Sequence, residues 1–245
     1  MNFLLDLLFP PRCVHCNTYT PRGSAACETC LGDVSLNQTL FCAACRARLP
    51  ADLSAKTLVA AGASVKAGLP KKICHQDSLY LLGAAGNYEN AVLRDLVHNL
   101  KFRYIRDAAK PLGDFLIRYA GSLHIPFENY SVIPIPLSKE RERTRGFNQS
   151  RLIAEPFARH FGIPLVANAL YRTKNTRPQS EVHGVEERHA NVSSCFAVRA
   201  PELVEKKNII LIDDVATSGA TFLEAAMALK QVGARKIIAL AAAKA

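Results

Sequence analysis

Ile209-Ile210-Leu211-Ile212-Asp213-Asp214-Val215-Ala216-Thr217-Ser218-Gly219-Ala220-Thr221 runs an apolar stretch straight into two acids and a loop of small residues. Asn208–Ile212 reads as a strand buried on both faces, as strands of parallel sheets are. It delivers two carboxylates to its carboxyl end, where open α/β sheets bind their ligands. Gly219 permits a tight turn, and residues 221–232 then carry a helical pattern, with Gly233 placed to close it. Backbone N–H groups and the dipole at such a helix start favour a phosphate. Thr217, Ser218 and Thr221 add hydroxyl groups. Acids beside an anion site make chemical sense when one ligand presents both phosphate and hydroxyls, as a phosphorylated ribose does. A plain capped turn needs one Asp, Thr or Ser, not this whole set.

Outward from this stretch, strands alternate with helices, the pattern of a parallel sheet in an α/β protein. Residues 79–85, 131–136 and 236–242 read as strands. Residues 91–101 place Val92, Leu93, Leu96, Val97 and Leu100 at helical spacing. Residues 108–119 form a second helix, with Leu112, Phe115, Leu116 and Tyr119 inward. Residues 148–161 form a third, which Asn148 or Ser150 caps, Pro156 kinks and Gly162 closes. Residues 139–145 alternate in charge, which reads as a solvated face. Arg143 and Arg145 beside Gly146 suit phosphate recognition, because forked guanidiniums match phosphate oxygens. Residues 171–196 are polar and fit either a lid over a ligand or an exposed hairpin. His183 and His189 within them are candidates for acid–base work.

Six of the 8 cysteines stand as Cys-x-x-Cys pairs: Cys13/Cys16, Cys27/Cys30 and Cys42/Cys45. Two such pairs fold thiolate knuckles around one tetrahedral zinc. Cys13, Cys16, Cys27 and Cys30 are the candidate first site, and its zinc is structural because so small a module needs metal for stability. His15 lies inside the first pair and is not counted as a ligand. Cys42 and Cys45 need partners for a second zinc. Cys74 is available, with His75 or Asp77 beside it, and Asp77 stands where a fourth pair would end. Metal-bound thiolates imply a reducing, cytoplasmic compartment. Cys195 is distant from the others and reads as a core or loop residue.

The chain has 245 residues, 49% of them hydrophobic, and a formal net charge of +10. That supports a real core and favours phosphate-bearing partners, nucleic acid among them. No apolar run of about eighteen residues occurs, which argues against a membrane-spanning helix. Residues 2–9 read as a short helical turn against the body rather than a targeting peptide. Residues 46–72 read as a connector or an extra hairpin. The composition changes near residue 78, which divides a cysteine-rich module (1–78) from the sheet domain (79–245).

The stretch 209–221 resembles the motif with which type I phosphoribosyltransferases bind 5-phosphoribosyl-1-pyrophosphate (PRPP). The order of the cysteine pairs, Leu100-Lys101-Phe102, 132–136, Arg145-Gly146-Phe147-Asn148-Gln149, Gln179…Arg188…Asn191 and 209–221 resembles the ComF (ComFC/GntX) family across nearly the whole chain. The resemblance implies a zinc-ribbon module followed by a type I phosphoribosyltransferase domain with a Rossmann-like parallel sheet. It implies that Asp213 and Asp214, the candidate catalytic carboxylates, lie beside the ribose 2′ and 3′ hydroxyls. Ala216, Thr217, Ser218, Gly219, Ala220 and Thr221 would cradle the 5′-phosphate. Ser138 and Lys139 occupy the place of the pyrophosphate loop, with Arg143 and Arg145 following. Magnesium is expected on PRPP oxygens. The implied role is natural transformation: handling of internalised single-stranded DNA in the cytoplasm, alongside competence DNA-processing proteins. Asp77, in place of a fourth cysteine pair's end, departs from the pattern and bears only on the second zinc.

Three functions compete on these residues. One is a phosphoribosyltransferase that loses pyrophosphate at ribose C1 to an acceptor the sequence does not name. A second is a DNA-handling factor with PRPP as ligand or signal. The third is a DNA-binding zinc-ribbon adaptor with a vestigial or purely regulatory pocket, against which the retained acid pair argues.

Overall fold

The computed structural model describes residues 10–43, 48–49, 78–173 and 195–245. The readings of residues 2–9, of most of 46–72, and of Cys45, Cys74, His75, Asp77, Arg177, Gln179, His183, Arg188, His189 and Asn191 lie outside the described residues.

In chain order the elements are α1 (Glu28–Gly32), β1 (Phe41–Cys42), β2 (Leu81–Asn87), α2 (Ala91–Phe102), α3 (Ala109–Ser122), β3 (Tyr130–Pro134), α4 (Lys139–Arg145), α5 (Gln149–Phe161), β4 (Leu170–Arg172), β5 (Phe196–Val198), β6 (Asn208–Ala216), α6 (Ala220–Gln231) and β7 (Ile237–Lys244). The protein is α/β. Its main sheet has the order β1-β2-β7-β6-β3. Strands β2, β7, β6 and β3 run parallel, and β1 joins the edge antiparallel to β2 through Phe41↔Leu82 and Cys42↔Leu81. A separate antiparallel pair, β4 with β5, brackets residues 173–195.

Helices cover both faces of the sheet. On one face, buried residues of α2, α3 and α5 form a single core with Cys13, Cys30, Val34, Leu40 and Leu49 of the cysteine-rich module. Phe127, Phe157 and Phe161 interlock there, with ring centroids 4.7 to 6.1 Å apart. On the other face, α6 packs with Cys195, Phe196 and Val204. Gly83 is required by a close approach: a Cβ on it would lie 2.5 Å from Leu240 Cδ2.

The structure departs from the sequence reading in three places. Strand β2 starts at Leu81, leaving Leu79 exposed. Strand β6 continues through both acids to Ala216, so the carboxylates belong to the strand's own end. Residues 139–145 form helix α4, read from sequence only as a solvated face. It buries none of its residues, so no apolar stripe announced it, and Ser138 caps it by accepting from Arg141 N–H at 3.4 Å. Helix α5 agrees with its reading: it contains Pro156, Asn148 caps it by accepting from Ser150 and Arg151 N–H, and Gly162 closes it.

The cysteine-rich module does not hang on a tether. Asn37 N–H donates to Ala85 O at 2.7 Å and its side chain to Ala84 O at 2.9 Å. The buried Tyr119 hydroxyl donates to Thr39 O at 2.7 Å. Among the described residues no helix is long and apolar enough to cross a membrane.

Candidate functional site

Parallel pairing of β3 with β6 places both carboxyl ends on one edge of the sheet. Ile135 N–H donates to Ile212 O at 2.8 Å, and Asn148 donates to Ile135 O at 3.1 Å. Arg172 Nε donates to Pro136 O at 3.0 Å and its guanidinium lies 4.8 Å from the Phe196 ring centroid. The exit of β3, the start of α5 and the β4–β5 pair therefore converge where β6 presents its acids.

Asp213 and Asp214 are buried, at 9% and 1% exposure. Asp213 Oδ1 accepts from Ser150 Oγ at 2.7 Å and from Asp214 N–H at 2.9 Å. Burial, then the charge of Asp214, push the Asp213 carboxyl up to about 7, against the pull of Lys101 and Ser150. Asp214 Oδ1 pairs with Lys101 Nζ at 3.0 Å, while its Oδ2 is buried with no hydrogen-bond partner among the described residues. Burial likewise lowers the Arg172 guanidinium, which the Cys195 thiol and Asp213 draw back up.

The loop after β6 turns through Gly219, whose φ of 79° lies in the left-handed region that glycine adopts freely. Tyr80 Oη donates to Gly219 O at 3.1 Å, and an added Cβ would lie a tight 3.0 Å from it. Helix α6 begins without a side-chain cap, because its N-cap residue is that glycine. Ala220 N–H donates to Ser218 Oγ at 3.4 Å. Of the other candidates, Ser138 is buried at the start of α4, and Lys139 and Arg143 are exposed on it. Arg145 donates to Gln149 Oε1 at 3.0 Å.

Lys101 and Ser150 were not singled out as site residues from sequence. Lys101 stood out only within Leu100-Lys101-Phe102, and Ser150 only as a candidate helix cap. Their contacts to the acids span distant parts of the chain.

The second site is the cysteine quartet. The ligand atoms of Cys13, Cys16, Cys27 and Cys30 all lie within 4.8 Å of one another. Cys16 Sγ and Cys27 Sγ are 3.6 Å apart, close to the roughly 3.8 Å edge of a tetrahedron with Zn–S bonds of about 2.3 Å. The donor set and spacing fit a structural zinc. His15 turns away from the quartet and pairs through Nδ1 with Asp95 of α2 at 2.8 Å. Cys42 is buried in β1.

Comparisons with known proteins agree with both halves. A double zinc ribbon domain matches residues 4–60, and a phosphoribosyl transferase domain matches residues 148–245. Competence protein ComFC of Bacillus subtilis is 34% identical over 161 residues, covering 64% of this chain and 62% of that protein. DNA utilization protein YhgH of Escherichia coli K12 is 30% identical over 151 residues, 59% of this chain and 64% of that protein. Competence protein F of Haemophilus influenzae is 32% identical over 109 residues, 44% and 47% of the two chains. The matched region thus spans less than two thirds of each of these relatives. A double zinc ribbon ahead of a phosphoribosyl transferase domain, together with relatives that carry the competence names, makes this chain similar to the ComF family.

Proposed function

We propose that the chain binds PRPP at the carboxyl ends of β3 and β6 and acts as a phosphoribosyltransferase-like protein in the cytoplasmic handling of transforming single-stranded DNA. The observation that carries this reading is the buried acid pair, followed within one turn by a helix start that has no side-chain cap. In this reading Asp213 and Asp214 accept from the ribose hydroxyls, and residues 216–221 hold the 5′-phosphate with backbone N–H groups. Ser138, Lys139, Arg143 and Arg145 serve the pyrophosphate. A transfer would break the bond from ribose C1 to pyrophosphate and form one to an acceptor, with the basic groups stabilising the departing charge. Among the described residues only the cysteine quartet brings three or more metal-binding side chains together, so magnesium is expected to arrive on the ligand's own oxygens. The quartet holds a structural zinc, and the second set, Cys42, Cys45, Cys74 and Asp77, remains a proposal of the same kind. The division near residue 78 is kept as the working boundary.

The DNA part of the reading is supported by a basic, aromatic stretch beside the acids. Phe102 and Tyr104 are 49% and 46% exposed, next to exposed Arg103 and Arg106. Bases stack on aromatic rings while arginines meet the backbone.

Calorimetric titration with Mg-PRPP, wild type beside Asp213→Asn/Asp214→Asn, tests the pocket. Saturable binding that the double variant lacks is expected, and no binding by zinc-loaded wild type overturns the reading. Fluorescence anisotropy with labelled single-stranded DNA tests the second half. Binding that weakens with salt and with Phe102→Ala/Tyr104→Ala is the expected result.

A further inference from the structure

We propose that Lys101 is the resident counter-ion of the Asp213–Asp214 pair, and that PRPP displaces it from the acids toward the pyrophosphate. The inference rests on the pocket assignment above but reaches a residue and an exchange which that assignment does not contain.

Two carboxylates at the end of one strand repel each other, and burial removes the water that would screen them. Asp213 is engaged by Ser150 and by the Asp214 amide. Asp214 is only half satisfied: one oxygen meets Lys101 and the other, buried, meets no partner among the described residues. A buried, unpaired acceptor is costly and is resolved when a donor reaches it. Ribose hydroxyls are donors, so the half-satisfied carboxylate is the one primed for a ligand. Lys101 is also the member of the group able to leave. Its side chain is 24% exposed against 2% for Asp214, and it carries a strongly hydrated charge on a flexible stem at the last turn of α2. A pyrophosphate beside the ribose offers that ammonium a new partner.

The charged and titratable groups around the pair are Asp213 and Asp214 of β6, Lys101 of α2, Arg172 of β4 and the Cys195 thiol before β5. The Asp213 carboxyl ionises near 7 in the folded protein and near 4 in the unfolded chain. Between those values the folded state binds more protons, so this group's contribution to stability falls as pH rises from about 4 to about 7, then levels. Without Lys101 the pair holds its proton to higher pH, so the fall runs on into the alkaline range.

The experiment compares wild type, Lys101→Met and Lys101→Arg, each zinc-loaded. Melting temperature is followed from pH 6 to pH 9 without ligand. The gap between wild type and Lys101→Met should widen by about 3 °C between pH 7 and pH 9, with Lys101→Arg tracking wild type. Parallel profiles for all three overturn the counter-ion role. Titration with Mg-PRPP then reads the exchange: Lys101→Met should weaken binding tenfold or more, and Lys101→Arg less. Unchanged affinity overturns the displacement. Absence of PRPP binding by wild type sinks the pocket assignment instead, while the pH profiles still decide what Lys101 does for the acids.

Discussion

Helix α2 is held by one side-chain pair in its first half and another at its end, and the two pairs are not alike. Toward the cysteine knuckle, His15 and Asp95 meet at 2.8 Å with side chains 33% and 36% exposed. Toward the acid pair, Lys101 and Asp214 meet at 3.0 Å, 24% and 2% exposed. Similar distances carry different physics. Water can replace either partner of the outer pair, so that pair adds little. The inner pair keeps a carboxylate that water does not reach, at a cost to folding that the ammonium only partly offsets. Stability in this region therefore comes from the apolar core that α2 shares with the knuckle. In the proposed function, the charges near the acids serve a ligand.

Removing the metal is the strongest way to break this comparison. Cys27→Ser, or chelation, should lower stability by about 5 kcal/mol or more. The loss should reach the sheet domain, because the knuckle and α2 share one core. Metal content and urea midpoint measured together would show it, and an unchanged midpoint after metal loss would separate the two regions. Next comes the core itself. Leu96 is fully buried in α2, and Leu96→Ala should cost about 3 kcal/mol with zinc retained.

The inner pair should respond in the opposite sense. Asp214→Asn removes the charge that opposes ionisation of Asp213, and Lys101 can turn to solvent. Stability at pH 8 should hold or rise by up to about 1 kcal/mol, while PRPP binding is lost. A large destabilisation would mean that the acids serve the fold. The smallest effect belongs to the outer pair. Asp95→Asn should cost less than about 1 kcal/mol and leave zinc and PRPP binding in place.

How legible these features are in the sequence follows from their range. The run 209–212 announces its strand because it is buried on both faces, and α2 announces itself through apolar residues at helical spacing. The cysteine quartet is legible because two knuckles lie close in sequence. Helix α4 was missed because its charges alternate and none of its residues is buried. Strand β1 was missed because Phe41 and Cys42 are only two residues long and look like part of a cysteine pair. The Lys101–Asp214 contact is invisible for another reason. It joins the end of one helix to the end of a strand formed much later, and no local pattern records such a meeting.

The sheet order has a consequence for how the chain is made. Strand β7, which follows the other described strands in sequence, lies between β2 and β6, and Leu81 of β2 pairs with Ile238 of β7. A ribosome delivers the flanks of this sheet before its middle. Until residues 237–244 emerge, β2 has only the two-residue β1 as a neighbour, and β6 has an open edge where β7 will sit. Contacts of such long range are slow to form, and an unpaired parallel edge is a surface for mispairing meanwhile. The knuckles can close around their metal before the sheet exists, whereas the acid site cannot be assembled until β7 has emerged.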